Sequence, residues 1–374
     1  MRERRTKIIA TVGPASVAPA VLEELLGAGA DVLRLNFSHS DLAWHAAAIE
    51  AIRAASAAAG REVAILGDTD GPDDLDQVDF CAEHGVDLLA ISFVSSVADV
   101  ERAAERLRSR GSDIPLIAKI EKREAAEAAE EILRAASSGI MVARGDLGEQ
   151  LPLAEVPALQ KRLIRAAGKQ SKPSITATEM LASMVSAPSP TRAEVTDVAN
   201  AIYDGSDAVM LSEETAIGAH PVESVRVMDR IARATEPDLR YGEWLFTRTD
   251  QATQDVADSV AQSAVGAVYR LGLKALVVPT TSGRTARLVS AHRPNVPVLA
   301  ISPRIETVRR LNLLFGVTPA HSEQEPGIRD LLDDCAALAA THGIAAPGDL
   351  IAIVAGLPNQ EMGTNLFEVH RVPG

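Results

Sequence analysis

The chain has 374 residues, 47% of them hydrophobic and only 3% aromatic, with 37 Lys and Arg against 51 Asp and Glu. That length suits a barrel-sized domain plus a smaller one, and the apolar fraction is enough for a large core. A net charge of −14 repels a nucleic-acid backbone or an anionic membrane surface, so neither partner is expected.

The opening stretch runs from charges into an apolar segment ending at Gly13, too short for a signal-peptide core. No later segment approaches the ~18 apolar residues of a membrane span, and a cytoplasmic location is the expectation. Short β-like runs then alternate with amphipathic stretches. Strands are predicted at Lys7–Gly13, Val32–Ser38, Val63–Asp68, Leu88–Val94, Leu116–Glu121, Gly139–Arg144, Ser174–Ala177 and Ala208–Ser212. Eight β–α units over residues 1–237 match a closed (β/α)8 TIM barrel in number and length. A doubly wound open sheet usually opens on a Gly-rich turn, and no GxGxxG occurs. Between the seventh and eighth strands, Thr191 and Glu194 form the spacing of a capping box. Val195, Val198, Ala199 and Ile202 follow at helical intervals. The pattern pauses at Glu236-Pro237-Asp238, and residues 238–249 read as a linker. Residues 250–374 read as a smaller α/β domain, with strands at Ala275–Val278, Val298–Ile301, Leu350–Val354 and Leu366–Val372. Cys81 and Cys335 lie far apart without CxxC spacing, so neither a disulfide framework nor a zinc site is expected.

In such a barrel the chemistry sits at the C-terminal ends of the strands. Those ends carry Arg34 to His39, Asp68-Thr69, Lys119-Ile120-Glu121, Arg144-Gly145-Asp146, Thr178-Glu179 and Ser212-Glu213-Glu214. Side chains alternate along a strand, so Lys119 and Glu121 share a face, as do Arg34, Asn36 and Ser38. Convergent carboxylates suit a hard cation such as Mg2+ or Mn2+, with Lys119 beside the oxygens of a substrate. Solvated loop charges are the plain alternative for any one of these residues.

The segments Lys7 to Ser16, Arg34 to His39, Lys119 to Glu121, Val142 to Gly148, Ala177 to Leu181, Pro190 to Glu194 and Leu211 to Ala216 resemble, in combination, the pyruvate kinase family. In the second domain, Thr281-Ser282-Gly283-Arg284-Thr285 resembles the family's phosphate-effector loop, and Gly363-Thr364-Asn365 the end of its Gly-rich C-terminal loop. The resemblance implies roles. Glu121 and Asp146 would hold the divalent metal, and Asn36, Ser38, Asp68 and Thr69 a K+ ion. Lys119 would stabilise charge near the transferred group, Arg34 would reach a phosphoryl group or the cation shell, and Thr178 would flank the enolate carbon. The backbone of Ala143, Arg144, Gly145 and Asp146 would hold the substrate carboxylate, since amides at a helix start suit an anion. Pyruvate or a related 2-oxo acid is the implied substrate and a homo-oligomer, tetramer or dimer, the implied assembly.

The departures are equally specific. In the family, an aspartate–threonine–lysine–glycine–proline turn after strand three leads into an inserted lid domain that covers the nucleotide. Here Asp68-Thr69-Asp70-Gly71-Pro72 runs directly into Asp73-Asp74-Leu75-Asp76. The turn's lysine is Asp70, a glutamine beside the strand-seven threonine is Glu179, and a glycine of the strand-eight motif is Glu213. These changes favour enolate chemistry over phosphoryl transfer. The sequence-based expectation is a metal-dependent carbon–carbon lyase, aldolase or decarboxylase of a 2-oxo acid, with an aldehyde co-substrate and Glu179 as acid–base. A pyruvate kinase without its lid, or a non-catalytic metabolite-binding homologue, are the alternatives.

Overall fold

The computed structural model describes residues 4–135, 138–247, 255–323, 328–356 and 363–373. The chain divides into two compact units, Arg4–Pro237 and Asp238–Gly374. The first holds eight parallel strands in a closed barrel: β1 (Lys7–Thr11), β2 (Val32–Asn36), β3 (Ala64–Asp68), β4 (Leu88–Ile91), β5 (Leu116–Ile120), β6 (Gly139–Ala143), β7 (Ser174–Ala177) and β8 (Ala208–Leu211). The strands are almost continuously buried, as parallel strands covered by helices must be. The fold class expected from the sequence is the one observed. Among the described residues, no helix is long and apolar enough to cross a membrane.

The lower rim of the barrel repeats one device. Gly29-Ala30-Asp31, Gly85-Val86-Asp87 and Gly205-Ser206-Asp207 each stand immediately before an even-numbered strand. The glycines have φ of 113°, 65° and 98°, the left-handed conformation that ends the preceding helix without a Cβ clash. The aspartates then accept an amide from the first two residues of the neighbouring odd strand: Ile8 N–H to Asp31 at 2.9 Å, Ile65 N–H to Asp87 at 2.7 Å, Ser174 N–H to Asp207 at 2.9 Å. Asp31 is further paired with Arg4 at 2.8 Å and Arg61 at 2.6 Å. Glu236 closes the ring by accepting from the amides of Arg5 and Thr6.

Between β3 and β4 lies one turn and the helix Leu75–Glu83; no strand occurs there among the described residues. The helix is docked tightly on β3, because a Cβ on Gly67 would come within 2.8 Å of the Cys81 sulfur. Asp79 fastens its outer side to the next helix, accepting from Arg106 Nε at 2.7 Å and Arg110 Nε at 2.9 Å. The site where the family inserts a lid is thus closed over by ordinary barrel packing.

The second unit is a five-stranded sheet in the order β11-β10-β9-β12-β13, built from β9 (Ala275–Pro279), β10 (Val298–Ser302), β11 (Val317–His321), β12 (Leu350–Gly356) and β13 (Thr364–Arg371). Only β13 is antiparallel to its neighbour. Alternation splits its core in two: Leu276 and Val278 face one apolar layer, Ala275 and Val277 the other. Two details differ from expectation. β11 was not expected; it carries Pro319, and as an edge strand it needs no amide on its outer side. Tyr241–Thr247, expected within a linker, is helical, with Tyr241 and Leu245 buried and Leu245 part of this unit's core. Residues 1–3 and the 248–254 stretch, where the linker was expected to end and the second domain to begin, lie outside the described residues.

The Asp31 cluster carries a pH signature. Burial pushes the Asp31 carboxyl up, but Arg4, Lys7 and Arg61 together hold it at about 2, below the ordinary 3.8. A depressed carboxylate stabilises the fold above its unfolded pKa and loses that contribution as pH falls through the folded value. Acid titration of unfolding should therefore show about 2 kcal/mol lost between roughly pH 4 and pH 2. Asp31→Asn should flatten this portion of the curve, and an unchanged slope would count against the cluster.

Candidate active site

The opposite rim gathers charge instead of capping strands. Parallel register sets Asn36 on β2 level with Asp68 on β3, and Asp68 level with Ala90 on β4. Asp68 is fully buried and meets Arg34 Nε at 2.7 Å, Lys119 Nζ at 3.1 Å and the Ser92 hydroxyl at 3.1 Å. Lys119 also reaches Ser92 Oγ at 2.7 Å and Glu121 Oε1 at 2.8 Å. Arg34 donates from Nη1 to Thr11 Oγ1 at 3.0 Å, and Thr11 in turn donates to the Leu211 carbonyl on β8. Two cations and two carboxylates thus form one buried, balanced cluster.

The electrostatics follow from this arrangement. Burial raises the Asp68 carboxyl, but Lys119 and Arg34 outweigh it and hold the group below the usual aspartate value. Burial lowers the Lys119 ammonium, while Asp68 and Glu121 more than compensate and raise it, so it stays charged. Glu121 goes the other way: burial raises it despite the pull of Lys119 and of the Phe93 amide, which donates to Oε2 at 2.5 Å.

Glu121 Oε1 is the informative atom. It is buried and has no aligned hydrogen bond, only the charge contact with Lys119. A buried carboxylate oxygen without an aligned donor calls for a cation or water. Asp146 stands on the helix Arg144–Gln150 after the adjacent strand β6; it is half-buried, and no described residue pairs with its carboxylate. Two carboxylates fit Mg2+ or Mn2+, which take few protein ligands and leave room for substrate and water. Among the described residues no group of three or more His, Cys, Asp or Glu could hold a metal.

The other expected residues are placed as follows. Asn36 Oδ1 accepts from the Ser38 amide at 3.4 Å, and the Ser38 hydroxyl donates to Asp70 at 2.8 Å. Thr69 Oγ1 donates to the Gly71 carbonyl and accepts from the Ser92 amide. These are oxygen donors of the type K+ takes, although Asp68 already has both oxygens engaged. Ala143 ends β6 and Gly145 N–H donates to Thr178 Oγ1 at 2.7 Å. Thr178 and Glu179 have φ of 66° and 55°. For non-glycine residues, and above all for a β-branched one, that strain costs about 1–3 kcal/mol each. Glu179 and Glu213 are exposed, and Glu179 pairs with no described residue. Glu214 is buried and links β7 to β8 by accepting from Leu181 and Ser212 amides. Thr281 to Thr285 belong to the second unit. Gly283 N–H donates to Thr280, Arg284 pairs with Asp255 at 2.7 Å, and Thr285 bonds Thr364 at 2.5 Å. Sequence reasoning missed Ser92 and Thr11; both are hydroxyls at or near strand ends, and only the register shows that they touch the charged cluster.

The family's barrel-domain model for pyruvate kinase matches residues 3–74 and 73–225, in two pieces that meet where the lid would be inserted. The pyruvate kinase alpha/beta-domain model matches residues 258–370. The chain belongs to the pyruvate kinase family. Similar curated proteins include the pyruvate kinase of Sporosarcina psychrophila, 34% identical over 98% of this chain and 80% of its own length. The pyruvate kinase of Geobacillus stearothermophilus is 35% identical over 98% of this chain and 80% of its own length. That alignment spans 472 positions against a chain of 374 residues, so the relative carries sequence with no counterpart here. These relatives overturn the expected lyase. Proteins this similar over nearly the whole chain are named as kinases, and the aldehyde co-substrate and the acid–base role of Glu179 go with the withdrawn reaction. The buried cluster is intact whatever charge the exposed rim carries, and the rim was given too much weight.

Removing Asp68 tests the cluster. Asp68→Ala leaves Arg34 and Lys119 buried with too little countercharge, which should cost about 3–5 kcal/mol of stability. Chemical denaturation measures it; a loss below about 1 kcal/mol, the value of an exposed pair, would show the cluster to be solvated.

Proposed function

We propose that this protein transfers a phosphoryl group between phosphoenolpyruvate and ADP, as a pyruvate kinase without a covering domain. The observation that carries the proposal is the buried Arg34–Asp68–Lys119–Glu121 cluster, in a chain similar over nearly its full length to named pyruvate kinases.

Phosphoryl transfer is chiefly positioning and electrostatic stabilisation of the transferred group. Lys119 suits this task. Its ammonium is held charged by Asp68 and Glu121, and it stands on a rigid strand with Ser92 fixing its direction. Arg34 orients Asp68 and so fixes Lys119 at one remove. The amides of Gly145 and Asp146 open the helix Arg144–Gln150 and suit the substrate carboxylate. Thr178 lies beside Gly145 and would face the enolate carbon. Glu121 and Asp146 would hold Mg2+ or Mn2+, which supplies positive charge to the phosphoryl and enolate oxygens when bound. Asn36, Ser38, Asp68 and Thr69 would hold K+, with Asp70 adding a carboxylate beside Ser38. The loop Thr281 to Thr285 is the candidate phosphate-effector site, and a homo-oligomer the candidate assembly.

Without a lid, water is less completely excluded from the transferred group. The expected enzyme is therefore a kinase with reduced turnover rather than an altered reaction. Formation of pyruvate and ATP from phosphoenolpyruvate, ADP and Mg2+ should be measurable, and Lys119→Met should lower kcat at least ~100-fold. Glu121→Gln should weaken Mn2+ binding by about tenfold or more in calorimetry with the fold unchanged. A wild-type protein that forms no ATP at saturating substrates would sink the reading.

A further inference from the structure

Arg144 is expected to serve the substrate through its backbone, but its side chain turns back into the protein. Nη2 donates to the Thr178 carbonyl at 2.7 Å, Nε to the Ala177 carbonyl at 3.3 Å, and Nη1 pairs with Asp197 at 2.7 Å. Asp197 stands on the helix Arg192–Tyr203, so the guanidinium is tied to a rigid element behind β7. A planar fork of five donors can grip two successive carbonyls and a carboxylate at once; an ammonium cannot. The two carbonyls it grips are those where the chain leaves β7 and turns left-handed at Thr178 and Glu179. Strain of this kind persists only where surrounding contacts over-determine it.

The Thr178 hydroxyl is fully engaged in this conformation. It donates to the Ala177 carbonyl at 2.7 Å and accepts from the Gly145 amide at 2.7 Å. Gly145 is one of the amides that a substrate carboxylate would need. A hydrogen bond from an amide to a carboxylate is stronger than one to a neutral hydroxyl, so an arriving carboxylate displaces the hydroxyl from Gly145.

We propose that Arg144 is a positioning residue: it pins the Ala177–Thr178 backbone so that a substrate carboxylate, by taking the Gly145 amide, frees the Thr178 hydroxyl to turn toward the reacting carbon. The moving part is one side-chain torsion; the backbone stays where Arg144 and Asp197 hold it. The free protein stores its own hydroxyl in the carboxylate subsite and releases it only when that subsite fills. This inference rests on the phosphoryl-transfer reading of the site and adds a residue and a sequence of events to it.

The test compares Arg144→Lys, Thr178→Val and the double variant by steady-state kinetics. Arg144→Lys should lower kcat about tenfold or more while KM for phosphoenolpyruvate stays within about threefold. In the Thr178→Val background the same change should cost nothing further, because its effect passes through the hydroxyl. Wild-type kcat in Arg144→Lys, or equal losses in both backgrounds, would overturn the proposal. If Arg144→Lys fails to fold, Asp197→Asn keeps the guanidinium but loosens its anchor. It should lower kcat about threefold in the native background and not at all in Thr178→Val; equal losses overturn the proposal here too. A wild-type protein without kinase turnover removes the phosphoryl-transfer reading, and the Gly145 amide resonance then decides. Added pyruvate should shift it in the wild type and shift it less in Arg144→Lys; an unmoved wild-type resonance overturns the proposal.

Discussion

The buried carboxylate of Asp68 is the constraint around which the upper half of the barrel is arranged. It meets Arg34 from β2, Lys119 from β5 and Ser92 from the end of β4, so one side chain ties its own strand to both neighbours and to the strand beyond β4. A fully buried carboxylate is tolerable only with such partners. Conversely, Arg34 and Lys119 could not remain buried without it. With Glu121 added, the cluster has no net charge in the free protein. Substrate would bring negative charge and a divalent cation positive charge, so the loaded site can remain balanced while Lys119 stays charged beside the transferred group. The groups that keep Asp68 tolerable in the interior are thus the same ones proposed to serve the reaction.

The two rims of the barrel use carboxylates in opposite ways. On the lower rim, Asp31, Asp87 and Asp207 satisfy strand amides, and Arg4, Arg53 and Arg61 complete the pairing. All three carboxylates have backbone donors, and Asp31 and Asp87 have arginine partners as well, which leaves little capacity for a ligand. On the upper rim, Glu121 Oε1 has no aligned donor and Asp146 has no partner among the described residues. The difference singles out the upper rim as the candidate functional one, in keeping with where (β/α)8 barrels place their chemistry.

The barrel was legible because its strands are short, apolar and regularly interrupted, and because eight such units leave few architectures open. The strand-end residues were legible as a set, and the family motifs named their order. Other features were hidden for identifiable reasons. β11 carries Pro319, which is harmless only at an edge position that the sequence does not reveal. The helix Tyr241–Thr247 mixes aromatic and polar residues, so its burial depends on the second unit's core and not on its own periodicity. The Gly-x-Asp repeat was present in the sequence at Gly29, Gly85 and Gly205, yet its meaning needs the register that sets each aspartate beside an amide at the start of a neighbouring strand. Reaction type was the hardest to judge. Asp70, Glu179 and Glu213 suggested a changed chemistry, but all three are exposed, where solvent screens their charge.

Loss of the lid leaves a particular division of labour. In a lidded kinase, closure can both exclude water and complete the site. Here the connection from β3 to β4 is a single helix locked by Gly67, Cys81 and the Asp79–Arg106–Arg110 contacts, so nothing in that segment is free to close. Ordering of the site must then come from the barrel itself. The charged cluster is already assembled, and the Thr178–Glu179 turn is already held in a strained conformation by contacts from behind. Pre-assembly of this kind can replace the ordering function of a lid but not its shielding function, which needs a cover over the bound substrate. Where closure of that segment is unavailable, the backbone and the charged cluster must already be in place in the free protein, and only side-chain torsions are left to respond to substrate.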